Sequence, residues 1–279
     1  MTSKYKVILS VTVFIVFLLA ISQSARATDF NDKATGNWGT ATTWNPEGIP
    51  GSSDTVVIDS HTVTLDANCA ATTLTVSTGG TLNVGASKTI TVTGTLTIDG
   101  GTITGTAVDI RITAGTFSQT SGTISNTSSL YNIYLNGAGD FQLGTITSGG
   151  TVYVGSTTKP SAVTINGVIT GGMDIAIYSN GDITQKNNIG CLVSTSLYPD
   201  FNEDSNGQFV YVSGTIAGPL YIYQKTAISL NTGFAVTSSL TIGASATYTP
   251  SSVTIGASGT PTISAAGITV NSNGNITVS

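Results

Sequence analysis

Gly80-Thr81-Leu82-Asn83-Val84, Gly101-Thr102-Ile103-Thr104-Gly105 and Gly122-Thr123-Ile124-Ser125-Asn126 are three versions of one short sentence, each 21 residues after the last. Gly-Thr followed by an apolar residue also opens at Gly94, Gly115, Gly144, Gly150 and Gly214. From Gly94 to Gly115 is again 21 residues, and from Gly122 to Gly144 is 22. The intermediate steps are 14 and 7, so the unit divides into three sevens. That suits a coil of three short strands and three turns. A single coil cannot bury its own inner face, so coils must stack on one another. The repeat therefore predicts an all-β parallel β-solenoid. A β-sandwich also uses many short strands, but it would show hairpin signals rather than a constant return.

Working outward, the surrounding chain reads in the same manner. Thr73-Leu74-Thr75-Val76, Thr89-Ile90-Thr91-Val92 and Val163-Thr164-Ile165 alternate apolar and hydroxyl side chains. Period-2 alternation rich in β-branched residues marks half-buried strands. The repeat blurs after Gly150. It returns as Leu240-Thr241-Ile242-Gly243-Ala244-Ser245 and Val253-Thr254-Ile255-Gly256-Ala257-Ser258. The expected organisation is a coil region over 67–235 and C-terminal coils over 236–279, with the last of them cut short, or covered by a partner or a loop.

Residues 1–27 read as a targeting segment. Lys4 and Lys6 precede the apolar run from Val7 to Ile21, and Ala25-Arg26-Ala27 has the form of a cleavage site. This is the order of a secretory signal peptide, with the mature chain starting at Thr28. Of 279 residues, 49 are Thr and 33 are Gly, and only 8% are charged, against roughly 25% in an ordinary soluble domain. The net charge is −5. Loss of three of the nine basic residues with the signal leaves six against 14 acids, a net charge of −8. So few cations exclude electrostatic nucleic-acid binding.

Residues 28–66 differ from the repeats and hold both Trp residues. The order is Gly36-Asn37-Trp38, Thr43-Trp44, Gly48-Ile49-Pro50-Gly51, Asp54-Thr55-Val56-Val57-Ile58 and His61-Thr62-Val63-Thr64-Leu65. Large aromatics can close the end of a solenoid core, so Trp38, Trp44 and Pro50 are expected to form an N-terminal cap. The other use of two such rings is a sugar-stacking platform. The whole order resembles the opening segment of bacterial exported and cell-surface proteins that continue into a right-handed parallel β-helix, in the broad neighbourhood of autotransporter passengers and filamentous-haemagglutinin-like adhesins, so the resemblance implies a right-handed β-helix. That resemblance implies a secreted or surface protein with a structural or adhesive role. The late tyrosines add a surface glycan or protein as the expected partner. The scattered ionisable groups offer no catalytic constellation, so no enzymatic activity is expected.

Several residues could carry chemistry. Related folds include pectin-lyase-like polysaccharide enzymes, the first alternative, which need clustered carboxylates. Here the only Glu residues are Glu47 and Glu203, and the Asp residues are scattered in turn contexts. His61 stands alone. Asp200, Asn202 and Asp204 match the first ligands of a calcium loop, but Ser205 and Tyr211 stand where glycine and glutamate belong. Calcium is thus the one cofactor candidate, and a plain solvated loop explains the same residues. Thr81-Leu82-Asn83, Thr102-Ile103-Thr104, Thr123-Ile124-Ser125 and Thr145-Ile146-Thr147 would stack their hydroxyls into a flat array. That array resembles the ice-binding face of some β-solenoid antifreeze proteins, the third alternative. Tyr221 and Tyr223 are candidate binding residues, because exposed Tyr offers amphipathic area at low entropy cost. Cys69 and Cys191 are 122 positions apart, nearly six coils, too far along the axis for a disulfide.

Overall fold

The computed structural model describes residues 27–199, 201, 207–230, 233–243, 246–255, 267–272 and 276–278. It is a parallel β-solenoid of about 10 turns. Each regular turn carries three strands, and each strand pairs in parallel with its equivalent one coil away.

The first face contains Thr62–Leu65, Thr81–Val84, Thr102–Gly105, Thr123–Asn126, Thr145–Ser148 and Ile169–Gly171, within a sheet of ten strands. Their register aligns Val63, Leu82, Ile103, Ile124, Ile146, Ile169, Ile189, Ile216 and Val236 in one column. Every one of these side chains is buried. This column explains the 21-residue period. A one-residue slip would turn it to solvent and bring the flanking Thr hydroxyls inside.

The second and third faces share two long strands, Thr89–Asp99 and Ile110–Gln119, which bend around Gly94 and Gly115. The second face continues through Ile133–Asn136, Val152–Val154, Asp174–Tyr178, Ser194–Tyr198, Leu220–Ile222 and Ser239–Ile242. The third runs from Thr55–Ile58 and Thr73–Ser77 to Phe141–Leu143, Val163–Ile165, Ile183–Gln185 and Phe209–Tyr211. The repeat that fades in sequence after Gly150 persists here as backbone register. Successive coils differ in length only through their corners.

Glycine is required at those corners. A Cβ at Gly80 would lie 2.1 Å from the carbonyl oxygen of Ile58 in the coil below. Gly122 adds a φ of 80° to a similar approach against Gly101, a backbone region that a side chain disfavours.

Two buried glutamines replace apolar residues in the third-face column. Gln119 lies above Ile98, and Gln185 above Ile165. Gln119 Nε2 donates to the carbonyls of Thr145 (2.9 Å) and Gly122 (3.1 Å), and its Oε1 accepts the Gly144 N–H at 3.1 Å. The side chain thus supplies bonds that the corner backbone cannot make for itself.

At the N-terminal end, Asp29–Asp32 pairs in parallel with Thr55–Ile58 and antiparallel with Trp44–Asn45. Trp38 and Trp44 are buried edge to face, with centroids 5.0 Å apart, and Trp44 Nε1 donates to the Trp38 carbonyl at 2.9 Å. Phe30 joins them at 6.4 Å from Trp44, and Pro50 is buried alongside the same segment. Asp32 receives the backbone N–H groups of Asp59, Ser60 and His61 and faces His61 Nδ1 at 2.8 Å. Burial alone would raise the Asp32 carboxyl, but the surrounding donors outweigh it and hold it below the usual value. His61 is therefore tied into a turn beside this carboxylate.

Candidate functional site

The outward side of the second face is the chemically distinctive surface. One column there runs Thr89, Arg111, Tyr134, Tyr153, Ala176, Ser196, Tyr221 and Thr241. The Arg111 guanidinium lies 4.2 Å over the Tyr134 ring, and Tyr134 stacks on Tyr153 at 5.0 Å with an interplanar angle of 9°. A second column, two residues further along each strand, holds Tyr178, Tyr198 and Tyr223. Tyr198 stacks on Tyr178 at 4.5 Å and on Tyr223 at 4.1 Å. Phe201 and Tyr248 close on this stack edge first, and Lys159 Nζ sits 4.6 Å over Phe201.

Parallel in-register stacking produces this cluster directly. Equivalent positions in neighbouring coils lie about 4.8 Å apart, close to the spacing of offset-stacked rings. A Tyr repeated once per coil therefore stacks on its own equivalent. The spacings from Tyr178 to Tyr198 and from Tyr198 to Tyr223 are each one coil, a signal legible in the sequence once the register is known. Tyr221 and Tyr223, the candidate binding residues, lie 6.5 Å apart, and Tyr178, Tyr198, Phe201 and Tyr248 join them in the same patch. Burial, then the hydrogen bond and charge of Tyr223, push the Tyr198 phenol well above its usual range, and burial raises Tyr178 as well.

The stacking also determines what the patch presents. The faces of the inner rings are covered by their neighbours, so the surface offers ring edges and phenol oxygens rather than open platforms. Such a surface makes many small contacts along the axis.

The other candidate residues fall as follows. The Thr array is present and in register. Thr62, Thr81, Thr102, Thr123 and Thr145 form one column, and Thr64, Asn83, Thr104, Ser125, Thr147 and Thr170 form the next. Ser125 Oγ reaches Thr104 Oγ1 at 3.3 Å. Carboxylates staple adjacent coils. Asp99 accepts from Thr120 and Ser121, Asp140 from Ser161, Asp174 from Ser194, and Asp182 from the Gln208 N–H. Among the described residues no three His, Cys, Asp or Glu side chains gather as a metal site. The calcium candidates Asp200, Asn202 and Asp204 lie outside the described residues, as does the targeting segment up to residue 26. Cys69 and Cys191 are both free thiols.

No protein-family model matches the chain, and comparison with curated proteins and with solved structures finds no match.

Proposed function

We propose that this chain is an exported, non-enzymatic β-solenoid that serves a structural or adhesive role at the cell surface. It would hold an extended glycan or protein partner along the tyrosine face. The observation that carries this reading is the continuity of that face. Two columns rich in rings and hydroxyls, the first broken at Ala176, together follow the solenoid axis over several coils. Contacts spread along such a strip suit a polymer laid lengthwise, whereas a small molecule needs a concave site. In this reading Trp38, Trp44 and Pro50 close the N-terminal end of the core, as a solenoid requires for solubility. The test is retention of the purified chain from Thr28 onward on immobilised extracellular polysaccharides. The double change Tyr198→Ala and Tyr223→Ala should abolish most retention while circular dichroism stays native. Unchanged retention would refute the role of this face.

The two hydroxyl columns of the first face favour a second reading, ice binding, because none of the described rungs from Thr62 to Thr147 carries a register shift. Thermal hysteresis that is lost on changing Thr104 to Tyr would establish it in place of the adhesive role.

A further inference from the structure

A hollow of about 410 Å³ opens at the corner between the first and second faces, with Ser87, Lys88, Ala107, Asp109, Arg111 and Tyr131 in its lining. We infer that this hollow binds an anionic sugar ring, one bearing a carboxylate or a sulfate. The inference deepens the adhesive reading and rests on its premise that the partner is a glycan.

Charge points to the sign of the ligand. Only six basic residues follow residue 27 in this acidic chain, and two of them, Lys88 and Arg111, share this one concavity. Against them stands a single carboxylate, Asp109, so the lining is net positive. No carboxylate among the described residues pairs with Lys88.

The geometry points to a prepared site. Asp109 Oδ2 accepts from Arg111 Nη2 at 2.6 Å, and its Oδ1 accepts the Asn132 N–H at 2.8 Å. The Arg111 guanidinium is also held at 4.2 Å over the Tyr134 ring. One edge and one face are thereby fixed, and the remaining N–H groups of the fork are left for an acceptor. A guanidinium immobilised in advance loses little entropy when it binds a planar anion. Asp109 thus acts as a positioning residue for Arg111.

Backbone strain marks the same place. Ser87 and Ala107 hold φ values of 58° and 54°, and among the described residues they are the two non-glycine residues with positive φ. They lie one coil apart and both line the hollow. Left-handed backbone without glycine is costly and concentrates at ligand sites. Small side chains there leave room, and Tyr131 adds a half-exposed ring. The volume suits one or two sugar rings, near the lower end of ordinary ligand sites. The site also adjoins the Arg111–Tyr134–Tyr153 stack, so an acidic residue seated here would continue onto the tyrosine face.

The test is a ligand-observed NMR titration of the folded chain with three probes: a glucuronate-containing disaccharide, the same disaccharide with its carboxyl reduced to the alcohol, and glucose 6-sulfate. The acidic disaccharide should bind roughly tenfold or more tighter than the neutral one, by the strength of a charge-assisted hydrogen bond. Arg111→Met and Lys88→Met, both at solvent-accessible positions, should each remove most of that preference. Asp109→Asn, which loosens the guanidinium, should weaken binding of both anionic probes and leave the neutral disaccharide unchanged, a selective loss that a misfolded variant cannot imitate. Equal binding of acidic and neutral disaccharides, or unaltered acidic binding in Arg111→Met, would overturn the inference. The two readings fail separately. If both disaccharides bind alike and polysaccharide retention still depends on Tyr198 and Tyr223, only the anion site is wrong. If acidic binding depends on Arg111 while retention ignores those tyrosines, the tyrosine face is wrong and the anion site stands.

Discussion

Replacing Gln119 by Met should cost this protein about 2–4 kcal/mol, and the same change at Gln185 should cost less than about 1 kcal/mol. Met nearly conserves volume, so cavity terms are small at both sites. The difference lies in the hydrogen bonds. Gln119 is fully buried and satisfies three backbone groups at 2.9–3.1 Å. Its loss orphans the buried Gly144 N–H and deprives two carbonyls of a donor. Leaving a buried donor unpaired costs about 1–3 kcal/mol, and each weakened carbonyl adds a fraction of that. Gln185 is equally buried but donates only to the Asn187 carbonyl at 3.1 Å, and its Oε1 has no partner among the described residues. Changing it to Met removes one bond and also one desolvated acceptor, and these effects nearly cancel. Urea denaturation followed by far-UV circular dichroism compares the two variants, with matched slopes as the condition for converting midpoints into free energies. Equal losses, or a larger loss at Gln185, would refute the claim that interior glutamine amides serve the corner backbone.

The thiols supply a test of the continuous solenoid: denatured, unreduced protein should show two free thiols, and in the native state Cys191 should react first, because burial pushes the Cys69 thiol far up. An intramolecular crosslink detected by mass would contradict the coil order. Stability should fall as pH rises above about 10, since an unfolded Tyr releases its proton there while the raised Tyr198 and Tyr178 phenols keep theirs. Tyr198→Phe should flatten that fall, and an unchanged pH profile would dismiss the stack as its cause. Exported protein should begin at Thr28. Its backbone nitrogen already lies 2.8 Å from Asp54 Oδ1, so cleavage after Ala27 would place a new ammonium on that carboxylate. Asp54→Asn should then destabilise the processed chain more than the unprocessed one, and equal effects would count against the pairing.

The fold was legible in the sequence because a solenoid is nearly one-dimensional. Each coil meets only its neighbours, so the column from Leu82 to Ile146 recurs along the chain as a period. Corner glycines such as Gly80 and Gly122 are also local requirements, visible as Gly-Thr steps. The free thiols followed from the same counting, since six coils separate Cys69 from Cys191. The later coils were harder to read. Beyond Gly150 the corners change length, and backbone pairing tolerates that where a fixed period does not. Side-chain encounters between coils were decided only by the tertiary structure. Tyr178, Tyr198, Tyr223 and Tyr248 are scattered in sequence, and Arg111 is 23 residues from the ring it covers; register brings each to its partner. The same holds for the hollow beside Lys88, which two coils form together at a strained corner. A sequence period reports which residues face inward. Which outward side chains touch depends on the length of every intervening corner, a quantity set by three-dimensional closure of the coil.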